Sequence, residues 1–355
     1  MKTEFDYRKA VNDLSFTEEQ KAEMTRKLVE AAGQGTTSEE HKRHIRPMGR
    51  VAILAACLAG ALAITTGATG VLKNAGDAFA NVFGGGAAET EIVNRIGRPV
   101  GASVTDGGLT ITADAVIGDR TSVCVVYTIT RDDGEIFDIQ GNEYGYLPLM
   151  FEDGDLDTGI LGGSHGSDCF MDPVPGDNSI QYVQQRSSDV PVVGHSAKVQ
   201  LRNLWMIGED GRPTTLAEGK WKLNFDLNYE DSSIVLDGNG ETFRQHDMTY
   251  TVDSIQLSPV GISVSYTVDQ ELVWADQTSG QISHEDAETM RRYFENVEIL
   301  LVGTDGTVTD LSCSGGSITP ENGVTKCTKS QMFGVIQQME SIAAIRVGGV
   351  EFPLR

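Results

Sequence analysis

At 355 residues with 39% hydrophobic side chains, the chain can bury ordinary cores without a disulfide or metal to hold it together, and it is too apolar to be disordered. Its formal charge of -23 is unevenly spread: residues 1–72 hold 10 Lys and Arg against 9 Asp and Glu, leaving 18 against 42 for residues 73–355. So acidic a surface repels phosphate, which argues against nucleic acid as a partner.

Residues 1–49 read as a helical segment. Thr17-Glu18-Glu19-Gln20 has the form of a capping box, and Gly33 suits the left-handed turn past a helix end, so a helix is expected from Glu18 to about Ala32. Met24, Leu28 and Ala31 share one face of it. So short a segment buries little alone. The stripe either packs on a preceding helix carrying Val11 and Leu14 or receives a partner.

Residues 50–72 read as a transmembrane helix. Val51 to Leu72 contain no charged side chain, and such a run spans roughly 33 Å as a helix, close to the hydrocarbon thickness of a bilayer. Lys42, Arg43, Arg46 and Arg50 stand before it and a mostly acidic sequence follows. That charge bias places the N-terminus in the cytoplasm and the bulk outside. Ala78-Phe79-Ala80 has the form of a signal-peptidase site, but the long segment ahead of the run favours a retained anchor. Ala59, Ala63 and Gly67 form a small-residue stripe that could pair two such helices in a homodimer.

Residues 73–89 read as a juxtamembrane linker, with an amphipathic stretch from Asp77 to Phe83 that ends at Gly84-Gly85-Gly86. Beyond it the pattern changes to period two. Leu109, Ile111, Ala113 and Ala115 alternate with polar residues, as do Trp221, Leu223, Phe225 and Leu227, and Ile262, Val264, Tyr266 and Val268. Asp-Gly pairs at 106, 133, 153, 210 and 305 signal turns. The segment 109–129 also lies gap-free over 248–268: Thr110, Thr112, Asp114, Val125, Tyr127 and Thr128 recur as Thr249, Thr251, Asp253, Val264, Tyr266 and Thr267. Leu149–Gly154 echoes Leu301–Gly306. The chain is therefore expected to be mainly β, with two tandem immunoglobulin-like β-sandwich domains over 90–230 and 240–355, and a helix inserted at 284–295.

Few residues suggest chemistry. Cys124, Cys169, Cys313 and Cys327 fall two to each expected domain, which on an oxidising side fits disulfides. Cys313 and Cys327, flanking a Gly-rich loop, are the better pair. No Cys-x-x-Cys spacing points to zinc, and no cofactor is expected. Ser164 and His165 lie near Asp168, but without a nucleophile-elbow motif. Asp153, Asp155 and Asp157 alternate as in a calcium loop, yet Thr158 and Ser164 stand where such a loop needs Gly and Glu. An ordinary acidic turn is the stronger reading.

Three segments carry a family resemblance: YRKAVNDLSFTEEQKAEM (7–24), LKNAGDAFANVFGGG (72–86) and IGRPVGASVTDGGLTITADAVIGD (96–119). In them the chain resembles a Gram-positive bacterial family catalogued as domain of unknown function 4179, whose members are described as anti-sigma-factor-like. The resemblance implies a single-pass membrane protein whose cytoplasmic segment binds an extracytoplasmic-function sigma factor. The chain lacks the His-x-x-x-Cys-x-x-Cys zinc motif of many such regulators, having no cysteine before Cys57, and no functional residue is carried over. The expectation is a non-enzymatic envelope sensor. Its outer region would bind a ligand or protein, and the face of Met24, Leu28 and Ala31 would hold the cytoplasmic partner. The alternative is a structural or adhesive surface protein with no such partner.

Overall fold

The computed structural model describes residues 74–84, 86–159, 163–274 and 283–354. The segment 1–49, with Met24, Leu28 and Ala31, and the apolar run 51–72 lie outside the described residues. No helix among the described residues is long and apolar enough to cross a membrane.

The chain enters as two short helices, α1 (Ala75–Phe83) and α2 (Ala87–Ile96). Asn74 caps α1 by accepting from Asp77 N at 2.8 Å, and Gly84 ends it with a positive φ. Asn94 Oδ1 accepts from Gly76 N at 2.8 Å and ties the two helices together. The stretch expected to be a linker is thus part of the packed structure. Ala75, Ala78, Phe79 and Phe83 of α1 are buried, with Val93 and Ile96 of α2.

Eight strands follow: β1 (Arg98–Asp106), β2 (Leu109–Gly118), β3 (Ser122–Arg131), β4 (Leu149–Asp157), β5 (Ser164–Met171), β6 (Ser179–Ser188), β7 (Ser196–Ile207) and β8 (Pro213–Asp226). They form two antiparallel sheets, in the orders β1-β2-β3-β6-β5 and β4-β7-β8. Both line one core, where Phe151 meets Tyr182 edge-on at 5.2 Å and lies 6.0 Å from Trp221. The Trp221 indole, 0% exposed, donates to the carbonyls of Asp106 and Leu109, each at 3.1 Å. That bond fixes the β1–β2 hairpin to the opposite sheet.

The second set runs β9 (Ile234–Asp237), β10 (Thr242–Gln245), β11 (Met248–Leu257), β12 (Gly261–Val268), β13 (Ile299–Gly303), β14 (Val308–Asp310), β15 (Gly315–Glu321), β16 (Val324–Met332), β17 (Ile342–Val347) and β18 (Val350–Pro353). Its sheets are β10-β11-β12-β16-β15, with β9 also on β11, and β14-β13-β17-β18, around a core of their own. Between β12 and β13 the expected helix forms as α3 (His284–Met290), capped by Ser283 and continued by a π-helical turn over Arg291–Glu295.

The two sets repeat one order. Replacing β1, β2, β3, β6 and β5 by β10, β11, β12, β16 and β15 turns the first large sheet into the second, and β4, β7 and β8 become β13, β17 and β18. The agreement reaches single residues. Each hairpin in the matched segments carries a β-bulge at the repeated aspartate, between Ala113 and Ala115 and between Val252 and Ser254. In each, the repeated threonine holds that aspartate: Thr128 Oγ1 donates to Asp114 at 2.6 Å, and Thr267 Oγ1 to Asp253 at 2.8 Å. The bulge corrects one expectation. It shifts the phase of β2, so Ala115 leaves the face of Leu109, Ile111 and Ala113 and turns with Ile117 toward the helices.

What covers that outer face differs between the repeats. In the first, Ala115, Ile117, Cys124 and Val126 lie under α1 and α2. The corresponding residues of the second are Ser254, Gln256, Ser263 and Ser265. Among the described residues no helix covers them: Ser254, Ser263 and Ser265 are half-buried, and Gln256 is buried with its Nε2 donating to Thr121 Oγ1 at 3.2 Å.

Two turns echo Asp-Gly expectations with a different outcome. At the first hairpin the loop is Gly107-Gly108, both at positive φ, and a Cβ on Gly107 would strike Glu218 O at 2.0 Å. Asp153-Gly154 is no turn but the middle of β4, where the Gly154 carbonyl accepts from Gln184 Nε2 at 3.1 Å and Arg186 Nη2 at 3.2 Å. It therefore does not match Asp305-Gly306, which does turn after β13.

The repeats touch through equivalent parts. Asp119, in the β2–β3 turn, is 1% exposed and accepts from the backbone N–H groups of Thr121 and Ser122. Ser258, in the β11–β12 turn, caps its own turn in the same way by accepting from Val260 N and Gly261 N, and it donates to Asp119 Oδ2 at 2.8 Å. Burial raises the Asp119 carboxyl above the usual range, against the pull of these hydrogen bonds.

Candidate functional site

A cleft of about 510 Å³ opens where α1, the β5 edge and the chain after β16 meet, within the size range of ligand sites. Its floor is the outer face of β5 and β6, with Cys169, Met171, Val183 and Gln185. Asn81 and Val82 of α1 close one side, and Met332, Phe333 and Gly334 of the second repeat close another. Tyr146, Leu147 and Leu149 complete the rim. One occupant could therefore touch the first repeat, the second repeat and α1 at once.

Strand β5 contributes more than side chains. It is the last strand of its sheet. Phe170 lines the cleft although it is 3% exposed and its ring stacks on Tyr182 in the core at 4.5 Å. It therefore reaches the cleft through its backbone. Asp168 also lines the cleft, while its carboxylate is engaged by Arg186 Nη1 at 2.6 Å and Nη2 at 3.2 Å. Beside the α1 end, Gln181 is buried with its Nε2 on Ala78 O at 3.1 Å and its Oε1 without a partner. Sequence reasoning did not find this site. Its signal was the unbroken apolar run Val123–Val126, which marks a strand buried on both faces and hence a cover over the sheet.

The residues singled out from the sequence are not brought together. Ser164, His165 and Asp168 all lie on β5, but His165 and Asp168 point to opposite faces by strand alternation. His165 Nε2 sits 3.2 Å from Ser330 O across the repeat contact, while Asp168 is paired with Arg186. Asp153, Asp155 and Asp157 form one exposed face of β4, opposite Arg202, Gln200 and Lys198 of β7, rather than a looped cage. Among the described residues no group of three or more His, Cys, Asp and Glu is placed to hold a metal.

The four cysteines among the described residues, Cys124, Cys169, Cys313 and Cys327, are free thiols, contrary to the expected Cys313–Cys327 bridge. Register explains it. Cys313 lies in the exposed turn before β15, whose first residue, Gly315, faces Ser330, whereas Cys327 faces Ile318 further along. Cys327 points into the core, with its thiol toward Tyr293 O. Cys124 and Cys169 stand on β3 and β5 with β6 between them, roughly 10 Å apart at the usual strand spacing and beyond disulfide reach. Burial pushes the Cys169 thiol up to about 11, and Asp168 adds to the shift. At neutral pH that holds it as the thiol rather than the more reactive thiolate.

No family model matches the chain, and no curated protein does. The chain is similar to one solved structure, described as the crystal structure of the conserved domain protein from Bacillus anthracis, at 11% identity and a TM-score of 0.41 over 69% of this chain and 74% of that one. That likeness is too slight to carry fold or function from one to the other.

Proposed function

We propose that the chain is a membrane-anchored envelope sensor or regulator of the domain-of-unknown-function 4179 kind. Residues 1–49 lie in the cytoplasm, 50–72 anchor the chain, and 90–230 and 240–355 are two immunoglobulin-like domains outside. The strand orders support the last reading. Without β1, the sheets β2-β3-β6-β5 and β4-β7-β8 follow the ABED and CFG order of a constant-type immunoglobulin domain, and β11-β12-β16-β15 with β13-β17-β18 repeat it.

The observation that carries a sensing role is the seat of α1. This helix begins at Ala75, close behind the apolar run that ends at Leu72. Its buried face packs in one cluster with Ala115, Ile117 and Val183 of the first repeat and Val260, Met332 and Ile336 of the second. A ligand that changed the fit of the repeats would therefore bear directly on the helix nearest the anchor. On the cytoplasmic side Met24, Leu28 and Ala31 hold the partner, a sigma factor, and Ala59, Ala63 and Gly67 allow the anchors to pair.

Two measurements test this. Protease added to intact cells should remove epitopes beyond residue 90 and spare an N-terminal tag. Full-length protein should capture a sigma factor encoded nearby, and Leu28→Asp should weaken the capture at least about tenfold, since it puts a carboxylate where an apolar contact is buried. A secreted form beginning near Asn81, or equal capture by both proteins, would overturn the reading.

A further inference from the structure

We infer that the cleft beside β5 binds an extended polypeptide segment, which adds to the β5 edge as a further strand. The inference rests on the proposed sensing role of the outer region and names a ligand class and a site for it. Leu147 N donates to Phe170 O at 2.8 Å, and Tyr146 bridges Met171, so the β5 edge already pairs with passing chain at its C-terminal end. That bond shows the Phe170 carbonyl pointing away from β6. Backbone direction alternates with period two along a strand, and the β5–β6 register is unbroken, so the N–H and C=O of Asp168 point to the same free side. Asp168 lines the cleft.

The side chains around that edge set the occupant's chemistry. A strand laid along Asp168 directs alternate side chains onto Val82, Met171, Val183 and Met332, and the others outward. The inward positions should be apolar. The outward ones face a region carrying 18 Lys and Arg against 42 Asp and Glu, so basic residues suit them. The predicted ligand is a segment with alternating apolar and basic residues. An acidic or strictly helical segment would not fit.

The test uses the full-length protein in detergent and a fluorescein-labelled peptide of alternating Lys and Val at about 150 mM salt, where exposed charges are screened beyond roughly 8 Å. A second peptide carries N-methyl groups on every other residue of one edge, which removes the donors a strand needs but leaves charge and composition. Two variants accompany the wild type. Asp168→Pro deletes the edge N–H, a change that edge strands tolerate, and Ser167→Trp fills the cleft from an exposed position. Circular dichroism and thermal unfolding check that both fold. The expected result is saturable binding to the wild type, weakened about tenfold or more by N-methylation and by each folded variant. Equal binding of the N-methylated peptide, or undiminished binding to Ser167→Trp, would assign the signal to surface charge and overturn the proposal. Absence of saturable binding to the wild type would also overturn it. Failure of the anchor or of sigma-factor capture would leave a positive peptide result standing, so the two readings fail separately.

Discussion

Lys329 gives the sharpest test of how the second repeat is held together. It is 0% exposed, and its ammonium lies within hydrogen-bonding distance of four carbonyls: Ser312 at 2.6 Å, Phe294 at 3.0 Å, Val297 at 3.1 Å and Glu295 at 3.4 Å. Three of these belong to the end of the π-helical turn and the residues leading into β13, where Phe294 O also accepts from Val297 N at 3.1 Å. The ammonium also stands 5.0 Å from the centre of the Phe294 ring. In effect one side chain caps the inserted helix from inside the sheet. Lys329→Met keeps the length and apolar stem but removes every donor.

An ammonium has three N–H groups, and hydrogen bonds from a charged donor are worth about 1.5 kcal/mol each at the low end, roughly 4–5 kcal/mol together. Release of a buried charge offsets part of that, so a net loss of about 3 kcal/mol is expected. Lys329→Gln, which keeps two donors, should lose only about half as much. The assay is urea unfolding with hydrogen exchange over 284–297 as the local probe and exchange over β7 and β8 reporting the first repeat. At a slope of about 1–3 kcal/mol per molar, the Met variant should move the second-repeat midpoint down by about 1 M or more. There is also a pH signature. Burial lowers the Lys329 ammonium from 10.5 to about 8, so between those values the unfolded chain holds the proton more often than the folded one. Stability should therefore rise with pH across that window, and the Met variant should lack the rise. An unchanged midpoint together with unchanged exchange at 284–297 would refute the capping role.

Three further predictions concern the rest of the fold. The raised carboxyl of Asp119 binds its proton more tightly folded than unfolded, so wild type should lose stability relative to Asp119→Asn as pH rises from about 4 toward neutrality; a difference independent of pH would contradict this. Phe79→Ala should loosen α1 and α2 at a cost of about 3–5 kcal/mol to their packing, seen as faster exchange over 75–96 while β7 and β8 stay protected. In the native protein a thiol reagent should label Cys313 without prior reduction and reach Cys327 only on unfolding; protection of both until reduction would restore the disulfide.

The period-two runs were legible because each repeat buries one core face of its large sheet. Leu109, Ile111 and Ala113 read correctly, and so did Ile262, Val264, Tyr266 and Val268. The duplication was legible too, because the recurring residues do the same work: Asp114 with Thr128, and Asp253 with Thr267, stabilise one bulge twice. What a period cannot show is a bulge itself, and so Ala115 was assigned to the wrong face. The expected turn at Asp153-Gly154 failed because tertiary bonds from Gln184 and Arg186 hold that glycine in a strand. Helix α2 went unread because its apolar residues Ile92, Val93 and Ile96 are few and follow a glycine run that resembles a chain break. The cleft was invisible for a deeper reason. Its walls come from residues 81–82, 146, 147, 149, 167–171, 183, 185 and 332–334, and only the folded contact between the repeats brings them together.

Where the repeats differ, they differ at equivalent positions, and those differences give each half its part. Tyr127 faces Tyr182 and Tyr266 faces Cys327, so Gln184 and Lys329, two residues further on, occupy the same place in the two sheets. Gln184 accepts from Tyr127 and donates to a single carbonyl of β4, Gly154. Lys329 has several carbonyls to satisfy because the second repeat inserts a helix before β13. Tyr266, lacking a glutamine acceptor, donates instead to Tyr293 O of that insertion. The same logic governs the outer faces. A helix pair can settle only where the sheet offers Ala115, Ile117, Cys124 and Val126, and the serines and glutamine of the second repeat deny it a second seat. The asymmetry leaves α1 on one side of the contact between repeats, flanked by a cleft that both repeats help to form. A symmetric pair of domains would have had nowhere to put such a site.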